Sequence, residues 1–392
     1  MLSEEEAQTK ILAAVPRLAT VNVPLREGAG RFSATELVAT IQLPSFDNSA
    51  MDGYAVIATS ATNGTRLKIV GEQPAGVSCN LRVREGEAVR IFTGAPLPAG
   101  ADAVVMQEET ERDGDFVLIR SETVAPGEFV RKAGGDLAIG QQILRRGDRL
   151  SPVTLPLLAS QGIECIDVHE IPRVAIVTTG DELVEPGIEL RPGELFETNG
   201  VMLAGLVEAV GARVTMKCHC RDDFEEISAI LRQATDSDVV IISGGVSVGE
   251  RDLVREALRK VGALIDLWRV AVKPGKPFLF GMRERCAIFG LPGNPVSSFV
   301  TFLIFVRPAL LRMMGAKDPR MARSTAHLSH DITGDETRPH YLRGKMEDGR
   351  FSIVGQQESH ALFGLARANA LLRVNPGAQL AAGAEVEVLL LE

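Results

Sequence analysis

The feature that most constrains the fold of this chain is an alternation of apolar runs and helical patterns that starts near residue 171. Strand-like runs and helices are predicted in the order 174–177, 201–210, 214–218, 224–234, 239–242 and 253–261. Two further strands at 278–280 and 287–289 precede a long helix from Pro295 to about Met314. Strands and helices in alternation form a parallel sheet covered by helices on both faces. We therefore predict a central, doubly wound, mostly parallel α/β domain.

The segments on either side of this domain have a β-rich pattern. Between about residues 20 and 170, short β-like runs alternate with turns rich in Pro and Gly, which predicts one or two small β-rich domains. After residue 320 the helical pattern stops, and Asp348-Gly349 lies between two strand-like runs as in a hairpin. We expect a small C-terminal β-barrel there, with a sandwich as the alternative. The fold class is thus multidomain α/β plus β.

Composition and charge exclude several classes of protein. The chain has 42 Lys and Arg against 51 Asp and Glu, a net charge of −9, and no dense basic run, which argues against binding to nucleic acid. Its 5 scattered cysteines indicate free thiols in a reducing compartment. The acidic N-terminus does not resemble a signal peptide, and the longest apolar stretch, 299–306, is too short to cross a membrane and is followed by Arg307 and Pro308. We expect a cytoplasmic protein that does not enter a membrane.

Polar loops follow three strands of the predicted sheet. They are residues 178–182, 243–252 and 290–297, and the carboxyl ends of parallel strands meet at one edge of a sheet. Their glycines let backbone amides approach a ligand, and Asn294 with Pro295 is typical of a helix start. Each loop alone is equally consistent with an ordinary tight turn. Together, two anion cradles beside several carboxylates indicate a phosphorylated substrate and a divalent cation.

A second candidate binding segment is Lys273-Pro274-Gly275-Lys276-Pro277. Two prolines restrict this loop, so two ammonium groups are held near each other. Like charges in such a position repel each other unless an anion lies between them. The alternative is a pair of solvated surface lysines.

Several other acidic residues are weaker candidates when taken alone. Asp52 and Asp136 each lie beside glycines and are typical of turns. Asp222 and Asp223 precede a predicted helix that has Glu225 and Glu226 in its first turn, so helix capping explains them equally well.

Two motifs point to chemistry that we reject. The segment 245–249 fits the G-x-S-x-G pattern of a hydrolase, but its serine does not directly follow the strand. Cys218-His219-Cys220 could bind zinc, but in a strand the thiols and the imidazole face opposite ways, and no second ligand pair follows.

Four motifs together resemble one known family. They are Asn-Ser-Ala-Met-Asp-Gly-Tyr-Ala at 48–55, Ser-Gly-Gly-Val-Ser-Val-Gly at 243–249, Lys-Pro-Gly-Lys-Pro at 273–277 and Leu-Pro-Gly-Asn-Pro at 291–295. In this order they resemble the molybdopterin molybdenumtransferases, the family that includes the gephyrin E domain. The resemblance implies the last step of molybdenum cofactor synthesis, in which adenylylated molybdopterin releases AMP in the presence of Mg²⁺ and its dithiolene sulfurs receive molybdate.

The resemblance also implies an organisation into four subdomains and an elongated homodimer with a shared active-site cleft. We place the boundaries at residues 1–50 with 125–170, then 51–124, 171–318 and 319–392. A molybdopterin adenylyltransferase, which makes the substrate, is a possible partner.

The family's site residues map onto positions of this chain. Asp222 and Asp252 correspond to the acidic residues for Mg²⁺ and the adenylate, and Asp52, Asp136 and Glu182 correspond to other positions needed for activity. For the substrate, Thr93 and Arg131 would lie across the cleft from the loop residues Gly244, Gly245, Ser247, Pro292, Asn294 and Pro295. For molybdate, the implied ligands are Lys273, Lys276, Ser297, Arg343 and Ser359. Cations and hydroxyls are suitable donors for a tetraoxo dianion.

The chain departs from the family pattern at two positions. Gly135 stands where an acidic residue commonly precedes Asp136, and Arg269 follows Trp268 where a lysine is common. Two alternative functions stay open. One is an interaction scaffold like gephyrin, and the other is the adenylyltransferase itself, which typically has a Gly-Gly-Thr-Gly turn where this chain has Gly244-Gly245-Val246-Ser247.

Overall fold

The computed structural model describes residues 1–245 and 253–391, and the chain divides into two compact units. The large unit comprises Met1–Thr35, Arg146–Leu155 and Glu164–Glu392, and the small unit comprises Glu36–Arg145 and Pro156–Ile163. This division is coarser than the four predicted subdomains, whose boundaries stay a prediction.

The large unit is built around a six-stranded sheet. In spatial order its strands are Arg213–Cys220, Arg173–Thr179, Val239–Ser243, Cys286–Leu291, Pro277–Arg283 and Leu264–Arg269. The first four are parallel to one another, and the last two continue the sheet antiparallel. The predicted doubly wound sheet is confirmed. The sequence pattern did not reveal the last strand, an edge strand in which Asp266 interrupts the apolar run.

The central strands are apolar because both of their faces are buried. Ile176 and Ile241 pack into one core with helices Asn199–Val210 and Pro295–Thr301. Val177 and Val240, whose side chains point the other way, pack into a second core with helices Phe224–Ala234 and Leu253–Lys260. Alternate residues of one strand thus serve two cores, which is the arrangement that an uninterrupted Val/Ile run predicts.

The long helix continues past Pro308. In the sequence, Arg307 and Pro308 end the apolar stretch 299–306 but do not end the helix. It consists of an α segment Pro295–Thr301, a π segment Phe302–Val306 and an α segment Arg307–Met313. Proline has no N–H and its ring clashes with the carbonyl one turn earlier, and the wider π turn accommodates both effects. Pro295–Met313 is long and apolar enough to cross a membrane, but 78% of it is buried inside the protein, as expected for a core helix.

The C-terminal segment of the large unit forms a closed β-barrel, not a sandwich. Its strands in barrel order are Arg323–Leu328, Arg350–Ile353, His340–Glu347, Ala370–Val374 and Glu385–Leu390. The predicted hairpin is present, with Asp348 and Gly349 at positive φ between its strands. The barrel interior is filled by residues such as Phe351, Leu342 and Val388.

The small unit contains a second six-stranded sheet, as the β-rich pattern predicts. In spatial order its strands are Ala103–Met106, Gly53–Val56, Glu87–Ile91, Arg66–Gln73, Phe116–Ile119 and Thr110–Asp113. Shorter pairs of strands in the chain are Asn48–Ser49 with Val130–Arg131, Leu37–Val38 with Gln142–Leu144, Thr20–Pro24 with Cys165–His169, Leu183–Val184 with Leu195–Phe196, and Ile332–Thr333 with Gln379–Leu380. The other α-helices are Glu4–Ala14, Thr154–Ala159 and Leu362–Leu365.

Gly281→Ala is expected to destabilise the large unit by about 1–3 kcal/mol, because overpacking a tight contact costs this much. An added Cβ at Gly281 would lie 2.5 Å from the carbonyl oxygen of Leu264 on the neighbouring strand, and backbone cannot move aside as a flexible side chain can. The matched control is Gly205→Ala in helix Asn199–Val210, where a Cβ meets nothing within 4 Å. The control should be neutral or stabilising by up to about 1 kcal/mol. Thermal unfolding measures both, and equal midpoints would contradict the expectation.

Candidate functional site

A cavity of about 900 Å³ lies at the carboxyl edge of the central sheet. All three polar loops line it, and their contributions include Thr179, Glu182, Gly244, Gly245, Pro292, Asn294 and Pro295. The structure therefore brings together the loops that the sequence places after three different strands. Ser247 and Asp252, both predicted site residues, lie outside the described residues.

The glycine turn after strand Val239–Ser243 requires its glycines. Gly244 has φ +95°, and an added Cβ would overlap the carbonyl oxygen of Thr179 on the neighbouring loop. Gly245 also has positive φ, at +66°. The turn thus places glycine backbone at the cavity, in a conformation and at a close approach to Thr179 that a side chain would not tolerate, and phosphate-binding turns use backbone of this kind.

The two adjacent aspartates after strand Arg213–Cys220 have different roles. Asp223 is the N-cap of helix Phe224–Ala234, and its carboxylate accepts hydrogen bonds from the backbone N–H groups of Glu225 and Glu226. Asp222 does not cap the helix; its side chain lines the cavity, and its backbone N–H donates to Asp181 Oδ1 at 3.1 Å. Helix capping therefore explains Asp223 and leaves Asp222 available to a ligand.

The acidic side of the cavity has the donor chemistry that a divalent cation needs. The pKa of Asp222 is raised, first by partial removal of its carboxyl from water and then by the charge of Asp181, with a further contribution from Glu182. A hard cation would relieve this concentration of negative charge, and carboxylate oxygens are its preferred ligands. Within residues 1–245 and 253–391, however, no group of three or more His, Cys, Asp or Glu side chains is arranged to hold a metal ion. Asp222 thus fits as one ligand of a site that needs others.

Asn294 and Ser359 connect the long helix to the barrel. Asn294 occupies the N-cap position, but its side chain makes no capping bond; its amide Nδ2 donates instead to Ser359 Oγ at 3.0 Å. The backbone N–H of Val296 donates to the carbonyl of Ser359, also at 3.0 Å. Ser297, in the first turn of the same helix, lines the cavity. The two predicted molybdate ligands Ser297 and Ser359 are therefore held in the same region.

The lysine loop is fixed at one end to the barrel. The backbone N–H of Lys273 donates to the carbonyl of Pro339 at 2.9 Å, and the Lys273 carbonyl accepts from the N–H of Tyr341 at 2.8 Å. The Lys273 ammonium lies 3.1 Å from Asp335, whose pKa is held well below its usual range, chiefly by a hydrogen bond from the N–H of Thr337. An added Cβ at Gly275 would lie 2.6 Å from Thr301 Cγ2, so the loop packs against the helix that carries Ser297.

The two lysines differ in their partners. Lys273 already has a counter-ion in Asp335. Lys276 is exposed, and among the described residues no carboxylate lies within ion-pair distance of its ammonium. The loop was predicted to hold two ammonium groups around an anion, but one of them is matched by an internal carboxylate. Lys276 is the more available cation.

Arg343, also predicted to bind molybdate, is only 1% exposed. Its guanidinium donates to the carbonyls of Gln356 at 2.6 Å, Glu358 at 3.2 Å and Ala361 at 3.3 Å, and burial lowers its pKa. The side chain thus organises the loop that carries Ser359.

In the small unit, two of the predicted site residues contact each other directly. Asp52 Oδ1 accepts hydrogen bonds from the backbone N–H and the hydroxyl of Thr93, both at 2.7 Å, and these bonds lower the pKa of Asp52. Arg131 lies nearby in the chain fold, because it pairs with Asn48 in a short ladder. Asp136 is exposed, and its backbone N–H donates to the carbonyl of Leu43.

Asn199 is a cavity residue to which the sequence assigned no role. It is 6% exposed, and its amide Nδ2 donates to Ser243 Oγ at 2.9 Å and to the carbonyl of Gly293 at 2.7 Å. Its position in Thr198-Asn199-Gly200, between a strand and a helix, resembles an ordinary helix start. The partners lie 44 and 94 residues away in the sequence, so no local pattern could identify them.

The Cys218-His219-Cys220 segment has an ordinary structural role. Cys220 is buried, which raises the pKa of its thiol to about 12, and His219 Nδ1 lies 3.2 Å from Thr178 Oγ1.

Comparisons with protein families cover nearly the whole chain. Residues 2–162 match the model for the MoeA N-terminal region (domain I and II). Residues 175–312 match the model for a probable molybdopterin binding domain, and residues 325–391 match the MoeA C-terminal region (domain IV).

Individual proteins are similar over the full length. A molybdopterin molybdenumtransferase of Haemophilus influenzae is 37% identical over 380 residues, which cover 95% of this chain and 94% of that protein. Molybdopterin molybdenumtransferase 2 of Mycobacterium tuberculosis is 36% identical over 402 residues, with 99% of each chain covered. The solved structure of the molybdopterin biosynthesis moeA protein from Pyrococcus horikoshii OT3 superposes with a TM-score of 0.85 at 32% identity, covering 100% of both chains.

Proposed function

The chain belongs to the molybdopterin molybdenumtransferase family, and from this premise we propose that it inserts molybdate into adenylylated molybdopterin with Mg²⁺ present and releases AMP. It is an enzyme of molybdenum cofactor biosynthesis. The observation that carries the finer proposal is the cavity at the sheet edge, which combines backbone cradles, an acidic rim and buried hydroxyls near a cationic loop. A substrate with a pyrophosphate link and a separate oxyanion needs these groups together.

The nucleotide end of the substrate fits the glycine turns. Gly244 and Gly245 expose backbone to the cavity, and Pro295 begins a long helix whose N-terminus carries a partial positive charge. Phosphate oxygens would accept a hydrogen bond from the backbone amide of Gly245, since the N–H of Gly244 already donates to the carbonyl of Leu291 at 3.3 Å and Pro295 has no N–H.

Mg²⁺ would be held by Asp222, and by Asp252 if the resemblance extends to that position. When bound, the ion neutralises charge on the phosphate oxygens and so makes AMP a better leaving group. Glu182 and Asp181 add to the field that attracts the cation, since both raise the pKa of Asp222 through their charge. The roles of Asp222, Asp252 and Glu182 stay predictions until variants are measured.

The oxyanion end fits the region where the lysine loop, the long helix and the barrel meet. Molybdate is a dianion with four oxygens, so it needs donors from several directions. Lys276 would supply an exposed ammonium, Ser297 and Ser359 would supply hydroxyls, and Lys273 would share its ammonium with Asp335. Arg343 would act through the loop that it organises as well as through its own positive charge.

We also propose a homodimer with a shared cleft, in which Asp52, Thr93 and Arg131 of one chain serve the cavity of the other. The proposal comes from the family resemblance, and the Asp52–Thr93 contact supports it by holding a partly exposed carboxylate in one orientation. A molybdopterin adenylyltransferase is the class of enzyme that would supply the substrate. The cytoplasmic location stays a prediction.

The deciding experiment mixes the purified protein with adenylylated molybdopterin, MgCl₂ and molybdate, and follows both AMP and active cofactor. AMP and cofactor should form together, and chelation of Mg²⁺ should stop both. A pure interaction scaffold would yield neither product. The adenylyltransferase alternative predicts that the protein consumes ATP and molybdopterin and releases pyrophosphate. The proposed function predicts that incubation with those two compounds releases none.

Lys276→Ala is expected to weaken molybdate binding about ten- to a hundredfold, because a lost charge-assisted contact costs about 1.5–3 kcal/mol. Lys345→Ala is the matched control, since Lys345 is an exposed barrel lysine paired with Glu347 at 2.8 Å. Titration of molybdate into the parent and both variants measures the effect. Equal affinities for the parent and Lys276→Ala would remove the lysine loop from the site.

A further inference from the structure

Asn199 ties two of the cavity loops to each other and to a helix. Its Nδ2 donates to Ser243 Oγ, at the end of a central strand, and to the carbonyl of Gly293, in the loop before the long helix. Ser243 Oγ in turn donates to the carbonyl of Pro292 at 3.3 Å. These bonds form a closed network in which three separate elements hold one another.

The orientation of the Asn199 amide is fixed by chemistry. A backbone carbonyl can only accept, so the atom 2.7 Å from the Gly293 oxygen must be the nitrogen. The other atom, Oδ1, is buried and has no hydrogen-bond partner among the described residues. A buried acceptor without a partner lowers the stability of the fold. An apolar residue of the same size would remove this unpaired acceptor, but it would also leave the Gly293 carbonyl without its donor, so the asparagine loses stability at one atom and supplies it at the other.

The network fixes the distance between the Gly244–Gly245 turn and the Pro292–Asn294 loop. Gly244 directly follows Ser243, and an added Cβ at Gly293 would lie 3.7 Å from the Cα of Gly244. The glycine turn and the Pro292–Asn294 loop therefore touch, with Asn199 bonded to the base of both. Donors that must contact different oxygens of one phosphate group need this kind of fixed separation.

We propose that Asn199 is a positioning residue for the nucleotide end of the substrate: it holds the Gly244–Gly245 turn and the Pro292–Asn294 loop at the spacing that phosphate oxygens require. The inference rests on the proposed function. Asn199 does not itself touch the phosphate, and its effect is transmitted through the two loops to which it is bonded.

Asn199→Leu tests this role, because leucine has a similar size, donates no hydrogen bond and carries no unpaired acceptor. We expect the KM for adenylylated molybdopterin and the Kd for AMP, measured by calorimetry, to rise by about tenfold or more, with kcat within about threefold. A merely structural role predicts the opposite split: a lower apparent kcat at unchanged KM.

Two further variants complete the test. Asn369→Leu is the control, since Asn369 also uses its amide to bond backbone, at Met346, but lies in the barrel away from the cavity; it should leave KM and the AMP Kd unchanged. Ser243→Ala removes one of the two bonded atoms and should raise KM by a smaller factor, and its combination with Asn199→Leu should be no worse than Asn199→Leu alone. If Asn199→Leu does not fold, Ser243→Ala still decides the question, because an unchanged KM there overturns the proposal.

The outcomes separate this inference from the proposed function. A parent protein that neither binds AMP nor uses adenylylated molybdopterin would overturn the proposed function and this inference with it. A parent that does both, together with an Asn199→Leu variant whose KM and AMP affinity match the parent, would overturn only the role of Asn199.

Discussion

Asp222→Asn is expected to reduce Mg²⁺-dependent AMP release by about a hundredfold or more, the usual effect of losing a group that acts on charge at the reacting centre. The substitution keeps the shape of the side chain and removes its negative charge, so it loses a hard oxygen ligand for the cation. Asp222 lines the cavity and does not cap the following helix, so the loss of a helix cap does not explain a loss of activity. The measurement is AMP formed per chain at saturating Mg²⁺.

The neighbouring aspartate provides the control for this experiment. Asp223 caps the helix through two backbone hydrogen bonds, and asparagine is as good an N-cap as aspartate. Asp223→Asn should therefore retain activity within a few-fold of the parent and leave the thermal midpoint nearly unchanged. If the two substitutions reduced AMP release equally, the cause would be the loss of local negative charge in general, and Asp222 would not be a specific ligand.

A mixture of two inactive variants is expected to regain activity if the cleft is shared between chains. Asp52→Asn and Asp222→Asn homodimers should each be inactive at both sites. In a heterodimer of an Asp52→Asn chain and an Asp222→Asn chain, one site contains both substitutions and the other contains neither. Random exchange of an equal mixture gives about half heterodimers, so about a quarter of all sites should be intact. Cofactor formation after subunit exchange measures the recovery.

The mixing experiment needs proof that exchange has taken place. Differently tagged chains captured together provide it, and each variant mixed with itself is the blank. If heterodimers form and no activity returns, then Asp52 and Asp222 serve a site within one chain, and the shared cleft is wrong. If Asp52→Asn alone remains active, Asp52 is not part of the site at all.

The sequence predicted the parts of the fold that depend on local patterns. Helix Phe224–Ala234 has the bounds that its periodicity predicts, and the buried runs around Ile176 and Ile241 are the centre of a parallel sheet. The edge strand Leu264–Arg269 was not recognised, because an edge strand is buried on fewer sides and tolerates charged residues that interrupt the pattern.

The candidate site also has parts that the sequence could predict and parts that it could not. That three loops meet at one edge follows from parallel topology, so the sequence could place Glu182, Gly244 and Asn294 together, whereas helix capping explained Asp222 equally well. The pairing of Lys273 with Asp335 could not be predicted, since 62 residues separate them and no motif contains both. Arg343 carried a family role in the sequence, yet its bonds to three carbonyls depend on how the loop after residue 355 folds back over it.

The contact between Asn294 and Ser359 has a consequence for how the protein is made. Every described residue assigned to the nucleotide end, from Thr179 to Pro295, leaves the ribosome before the barrel does, and domains fold largely in the order of synthesis. The hydroxyl and backbone contacts of Ser359 can form only after that residue has emerged. A chain ended by a premature stop codon shortly after Met313 would contain the described residues of the nucleotide end and neither Arg343 nor Ser359. If Arg343 and Ser359 serve the oxyanion as proposed, its capture therefore requires a chain that extends past residue 359.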